Sequence, residues 1–389
     1  MIAAAVRPLD AVRVPLTAAH GRVLREDVAA DADMPAFDRS AMDGYAVGAD
    51  DDSARLRVVG EVQPGAAPEV AIRRGECARI FTGAQIPHGA GRVLMQEDCA
   101  RDGEWMTPRR RDAKTWIRQC GEDARCGEVL LRAGVRLRAG EVSLLAQLGA
   151  VQPGVSPAVR VLHFATGNEL VDPGTTPGPG QIRDTNSALV AALLAESGAR
   201  LAGQARCGDA LEALVSAVEN AGADWDTLLF SGGASVGDYD FGGRTLERLG
   251  FTIHFRQINL RPGKPLVFAT RGRQIAFVIP GNPVSHFVTY HVAIQLALEC
   301  LTAAPHSWPL ALAELADDLP AKPDTRETFW PAHGAVSGGV LRVRPLAWQS
   351  SGDLRGLIFA NALVPIAPGS GPEKRGTQVP VLWLSLDHE

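Results

Sequence analysis

Residues 227–237 read Thr-Leu-Leu-Phe-Ser-Gly-Gly-Ala-Ser-Val-Gly, a short apolar run entering a glycine-rich loop. An uninterrupted apolar run bounded by glycine suits a strand covered on both faces. Similar runs occur at 159–165 and 275–279, and each also meets a loop: Thr166-Gly167-Asn168-Glu169 and Pro280-Gly281-Asn282-Pro283. Helical patterns at about 187–197, 209–221 and 284–301 alternate with them. Asp209, with Glu212 three residues on, resembles a capping-box start. Strands alternating with helices predict a parallel, three-layer α/β domain. In open parallel sheets ligands bind outside the carboxyl ends of the strands, so the three loops converge on one crevice, the expected binding site.

Outward from this core the texture changes. Residues 1–150 are rich in Arg, Gly and Asp, with β-like runs at 55–59, 78–81 and 92–96, and predict a β-rich region. A short helix is expected over 140–149, ending at Gly149, and a linker over 153–157. After Pro305, runs at 340–343 and 379–384 suggest a small β domain. The expected class is therefore multidomain, α/β plus β.

The chain has 389 residues and a net charge of −5. That balance offers no general attraction to nucleic acid or to an anionic membrane. No apolar run approaches the roughly 20 residues needed to span a bilayer, and no signal-peptide pattern opens the chain. The six cysteines are scattered without a CxxC pair and read as reduced cytosolic thiols, so a cytoplasmic location is expected.

The loop after Phe230 offers Ser231, Gly232, Gly233, Ser235 and Gly237 to a phosphate, followed by Asp238 and Asp240 as hard ligands suited to Mg²⁺. A glycine-rich turn with solvated acids is the plainer alternative. It matches neither the G-x-G-x-x-G fingerprint nor a P-loop. Arg261-Pro262-Gly263-Lys264-Pro265 sets two cations about a rigid turn, which suits an oxyanion or a solvated surface turn. Only four lysines stand against 35 arginines, which makes Lys264 the more informative. Glu169 and Asp184 are candidate metal-site acids or ordinary loop carboxylates, and Asp209 is an acid with a second reading as a helix N-cap. Asp43-Gly44 reads as a turn before a β-like run. His286, five residues from His291, reads as a helix-surface histidine. No G-x-S-x-G elbow places a nucleophile for covalent hydrolysis.

Nine segments in fixed order resemble the molybdopterin molybdotransferase family (MoeA and the gephyrin E domain). They are FDRSAMDGYAV (37–47), RIFTGAQIP (79–87), VLMQED (93–98), GED (121–123), TGNEL (166–170), GQIRDTN (180–186), SGGASVGDYD (231–240), RPGKP (261–265) and PGNPVS (280–285). The resemblance implies Mg²⁺-dependent transfer of molybdate to adenylylated molybdopterin with release of AMP. It implies four domains: 1–27 with 124–156, an inserted β-rich domain over 28–123, a molybdopterin-binding α/β domain over 157–304, and a C-terminal β-barrel over 305–389. It further implies a homodimer whose cleft uses both subunits, and a molybdopterin adenylyltransferase as a partner.

Carried over by position, Asp43, Thr82, Asp123, Glu169, Asp209 and Asp240 match pterin, metal and catalytic residues, with Glu169, Asp209 and Asp240 as the metal set. Arg261, Lys264, Ser285 and Ser351 match anion-binding positions. Ser231, Gly232, Gly233, Ser235, Gly237, Pro280, Gly281, Asn282 and Pro283 complete the substrate-binding set. Three positions depart from the pattern: Gln257 and Pro331 stand where the family carries cations, and Asn168 replaces the aspartate of TGDEL. Arg256 and Arg326 are the candidate substitutes, with His333 a further one. Little of the family's leading helix precedes Val14. A non-catalytic pterin-binding scaffold or carrier, and a pyrophosphatase-like enzyme, are the competing readings.

Overall fold

The computed structural model describes residues 1–233, 241–306 and 308–384. They divide into two compact units, one of 1–25, 134–138 and 154 onward, the other of 26–133 and 139–153.

The first unit is built on a six-stranded sheet. Its order is Arg200–Cys207, Arg160–Thr166, Thr227–Ser231, Gln274–Ile279, Pro265–Arg271, Thr252–Gln257. The first four strands are parallel. The last two are antiparallel to their neighbours, so the sheet is mixed rather than wholly parallel.

Side chains alternate across the sheet with the two-residue strand period. Val161, Leu229, Phe277 and Ile279 join a core with helix Asn186–Glu196 and the helical stretch from Pro283 to Leu301. Leu162, Phe164, Leu228, Phe230 and Val278 join a second core with helices Leu211–Asn220 and Phe241–Arg248. Both faces are covered, which is why these strands read as unbroken apolar runs. The three-layer expectation holds.

Downstream, Leu310–Leu315, Glu327–Ser337, Val340–Pro345, Ala362–Ile366 and Gln378–Trp383 close into a five-stranded barrel. A two-residue strand, Leu260–Arg261, adds to it in parallel through Leu260↔Glu327 and Arg261↔Thr328. That small pairing brings the 261–265 loop beside the residues that enter the barrel.

In the second unit a six-stranded sheet runs Arg92–Met95, Gly44–Val47, Glu76–Ile80, Leu56–Val62, Trp105–Pro108, Cys99–Asp102. The expected helix is present as Ala139–Gln147.

Several local expectations are corrected. Gly44 starts a strand rather than completing a turn; a Cβ there would lie 1.9 Å from the Leu94 carbonyl oxygen, so strand pairing demands glycine. The expected linker over 153–157 does contain the boundary between the units, at 153/154, but it is not loose chain, because Gly154–Val155 pairs with Val12–Arg13 and Val155 is fully buried. Helix Leu211–Asn220 is capped at Ala210 with no side-chain bond, so Asp209 is not its N-cap. His286 is fully buried against the sheet rather than on a helix surface.

Candidate functional site

Two of the three expected loops, 166–169 and 280–283, meet at one cavity. A cavity of about 1000 Å³ opens at the carboxyl ends of the parallel strands, lined by Glu169, Arg261, Lys264, Pro280, Gly281, Asn282, Pro283, Ser285 and Ser351 among the expected residues. Arg183, Asn186, Arg326, Trp330 and Trp348 also line it. Among the described residues that line it, four are cations and one is a carboxylate, a balance that favours an anion.

Local bonding explains how distant segments form one wall. Asn282 Nδ2 donates to Ser351 Oγ at 2.8 Å, and the Val284 N–H donates to the Ser351 carbonyl at 3.0 Å. Asn186, the first residue of its helix, donates through Nδ2 to the Gly281 carbonyl at 2.7 Å. Its Oδ1 is buried without a partner among the described residues, so a ligand N–H or O–H could complete it. Asp184 is buried and binds the N–H and hydroxyl of Ser187 at 3.0 and 2.6 Å, which makes it a support of that helix start.

Arg261 lies over the Trp348 ring at 5.7 Å, and Trp348 meets Trp330 edge-on at 5.0 Å. Arg261 Nη1 donates to Asp324 Oδ2 at 3.1 Å. Arg326 donates to the same carboxylate through Nε at 2.9 Å and Nη2 at 2.8 Å. Hydrogen bonds from the Arg326 side chain and N–H, with the nearby Arg261 charge, hold Asp324 far below the usual carboxylate range. Lys264 is exposed and has no acidic partner among the described residues.

Glu169 and Asp209 are carried by neighbouring loops, joined where the Asp209 N–H donates to Asn168 Oδ1 at 3.3 Å. An asparagine oxygen serves this link as well as an aspartate would. Neither carboxylate has a cation partner among the described residues, which leaves two hard oxygen donors available to a divalent ion. Among the described residues no three His, Cys, Asp or Glu side chains gather as a complete metal cluster. Ser235, Gly237 and Asp240 lie outside the described residues.

Ser231 is buried and absent from the cavity wall, its Oγ 2.6 Å from His163 Nε2 and 3.5 Å from His286 Nε2. Gln204 Nε2 donates to His163 Nδ1 at 2.8 Å, which fixes the proton of neutral His163 on Nε2, facing Ser231. Burial pushes the histidines down, to about 4 for His163 and about 3 for His286. The next residue needs glycine. Gly232 has φ +99°, and a Cβ there would lie 2.6 Å from the Thr166 carbonyl oxygen. Gly233 follows it with φ +68°.

The remaining expected residues belong to the other compact unit. Asp43 Oδ1 accepts the Thr82 N–H at 2.8 Å and its hydroxyl at 2.7 Å, and the backbone bond foremost lowers the Asp43 pKa. Asp123 pairs with Arg118, which also binds Glu122.

Of the candidate substitutes, Arg326 lines the cavity. Arg256 pairs with Glu247 and is absent from the wall, as is His333, which binds the Phe359 carbonyl. Asp324 and Trp348 escaped sequence reasoning, since neither stands in a motif.

Three family models match: the MoeA N-terminal region (domains I and II) over residues 1–149, a probable molybdopterin binding domain over 163–299, and the MoeA C-terminal region (domain IV) over 313–384. The chain is 34% identical to a molybdopterin molybdenumtransferase of Nostoc, across 97% of this chain and 89% of that one. It is also 34% identical to one of Bacillus subtilis, across 93% and 87%. A molybdopterin biosynthesis MoeA structure from Pyrococcus horikoshii superposes with a TM-score of 0.80 at 30% identity, covering 97% of this chain and 96% of that one.

Proposed function

The chain belongs to the MoeA family, and on that premise we propose that it is a molybdopterin molybdenumtransferase of molybdenum cofactor biosynthesis, acting on adenylylated molybdopterin and molybdate with release of AMP. The observation that carries this reading is the cation-lined cavity at the carboxyl ends of the parallel strands.

Each wall has work suited to it. Arg261, Lys264 and Arg326 supply charge-assisted donors for a tetrahedral dianion, and Ser285 and Ser351 supply hydroxyls. The Asn186 oxygen accepts from the pterin, whose ring and amide N–H groups are suitable donors. The glycine loop from Ser231 receives the terminal phosphate of the pterin. Glu169, Asp209 and Asp240 would hold Mg²⁺, which when bound neutralises charge on the pyrophosphate. Asp43, Thr82 and Asp123 are read as catalytic residues, as the resemblance implies. The protein is further read as a homodimer of four-domain subunits, cytoplasmic, and served by an adenylyltransferase. Among the described residues no helix is long and apolar enough to cross a membrane.

The test is reconstitution. Purified protein with adenylylated molybdopterin, Mg²⁺ and molybdate should activate a molybdoenzyme purified without its cofactor. Pterin binding without activation would favour the scaffold reading.

A further inference from the structure

We propose that Asp324 is a positioning residue of the oxyanion pocket, clamping Arg261 and Arg326 so that their remaining N–H groups serve the substrate. The inference rests on reading the cavity as an oxyanion site.

The clamp is assembled by topology. Pairing of Leu260–Arg261 with Glu327–Thr328 sets Arg261 beside a residue 63 positions later. Asp324 then uses both oxygens. Oδ2 accepts Arg261 Nη1 and Arg326 Nη2, while Oδ1 accepts Arg326 Nε and the Arg326 backbone N–H at 2.9 Å. Four N–H donors fill the lone-pair capacity of one carboxylate. Its own backbone is tied down where the Gly369 N–H donates to the Asp324 carbonyl at 2.7 Å.

Two guanidiniums would repel each other at this separation without the anion between them. With it, Arg261 is gripped between the carboxylate and the Trp348 ring, and Arg326 is held as a fork. Arg261 Nε and Nη2 and Arg326 Nη1 are left without a protein acceptor among the described residues, and both side chains line the cavity. Asp324 itself does not line it, so its action is through the arginines. Rigid donors aimed before substrate arrives are what a charged transfer step requires.

The test uses full-length protein with molybdate as the probe. Asp324→Asn keeps the shape and removes the charge. Molybdate binding measured by calorimetry should weaken less than threefold, because removing an anion raises the local positive field. Turnover for metal insertion at saturating molybdate should fall about tenfold or more. Asp324→Glu keeps the charge but displaces the carboxylate by one methylene. It should bind molybdate within twofold of the wild type and still lose about threefold in turnover, and it carries the test if the asparagine variant does not fold. Turnover within twofold of wild type in the folded variants, or parallel losses of affinity and turnover, overturns the inference while leaving the oxyanion reading intact. A wild type that binds no molybdate overturns both.

Discussion

Asn282 and Ser351, 69 residues apart, meet through an Nδ2–H···Oγ bond of 2.8 Å that joins the loop after a central strand to the loop beyond the barrel strand Val340–Pro345. A neutral hydrogen bond contributes about 0.5–1.5 kcal/mol net. Asn282→Ala is therefore expected to lower kcat/KM for molybdate about three- to tenfold with little change in melting temperature. Steady-state insertion kinetics beside a thermal melt check this, and unchanged kinetics would show that the wall holds without the bond.

Gly232→Ala asks for a side chain where φ is +99° and the Thr166 carbonyl oxygen is 2.6 Å away. Strain of this kind costs about 1–3 kcal/mol. The variant should melt lower and bind adenylylated molybdopterin at least about tenfold more weakly. An undisturbed melt with wild-type pterin affinity would mean that the loop relaxes freely.

Stability should fall on acidification. His163 and His286 have folded pKa values of about 4 and about 3, depressed by burial from the ordinary 6.5. Below about pH 6.5 the unfolded chain therefore binds protons that the folded chain refuses, and folding stability is lost progressively down to those folded values. Each fully protonating site adds a slope of up to about 1.4 kcal/mol per pH unit. Denaturant melts between pH 7 and 4 should show this slope, and His163→Gln should make it shallower. An equal slope in that variant would remove His163 from the account.

Two of the three positions that depart from the pattern the resemblance implies, Gln257 and Pro331, call for different outcomes. Gln257 is exposed on the edge strand Thr252–Gln257, and Pro331 is buried in the barrel strand Glu327–Ser337; neither lines the cavity. Restoring cations there, as Gln257→Lys with Pro331→Arg, should not improve molybdate use. The lysine alone should shift half-maximal molybdate less than twofold. The arginine should destabilise the barrel by roughly 3 kcal/mol, since it buries a charge without a partner. A stable double variant that needs less molybdate would contradict this.

The legible parts of the fold were those with local causes. Unbroken apolar strands such as 227–231 announce two covered faces, and glycine-rich loops at their ends mark the crevice. Strand Arg200–Cys207 escaped because it lies at the sheet edge and is largely exposed, so its polar residues conceal it. Gly154–Val155 looked like a linker because its partner, Val12–Arg13, is remote in sequence. His286 was misread because its spacing to His291 says nothing of the sheet beneath it. Asp324 was invisible for the same reason as Gly154: only the pairing of Arg261 with Thr328 gives it a role.

On the proposed function, one site couples cleavage of the adenylylated pterin to metal transfer. The direct measurement mixes purified protein with adenylylated molybdopterin and Mg²⁺, titrates molybdate, and quantifies AMP and pterin-bound molybdenum in the same samples. Both should rise together with molybdate, near one to one. AMP released without molybdenum on the pterin, or tight pterin binding with neither product, would contradict it.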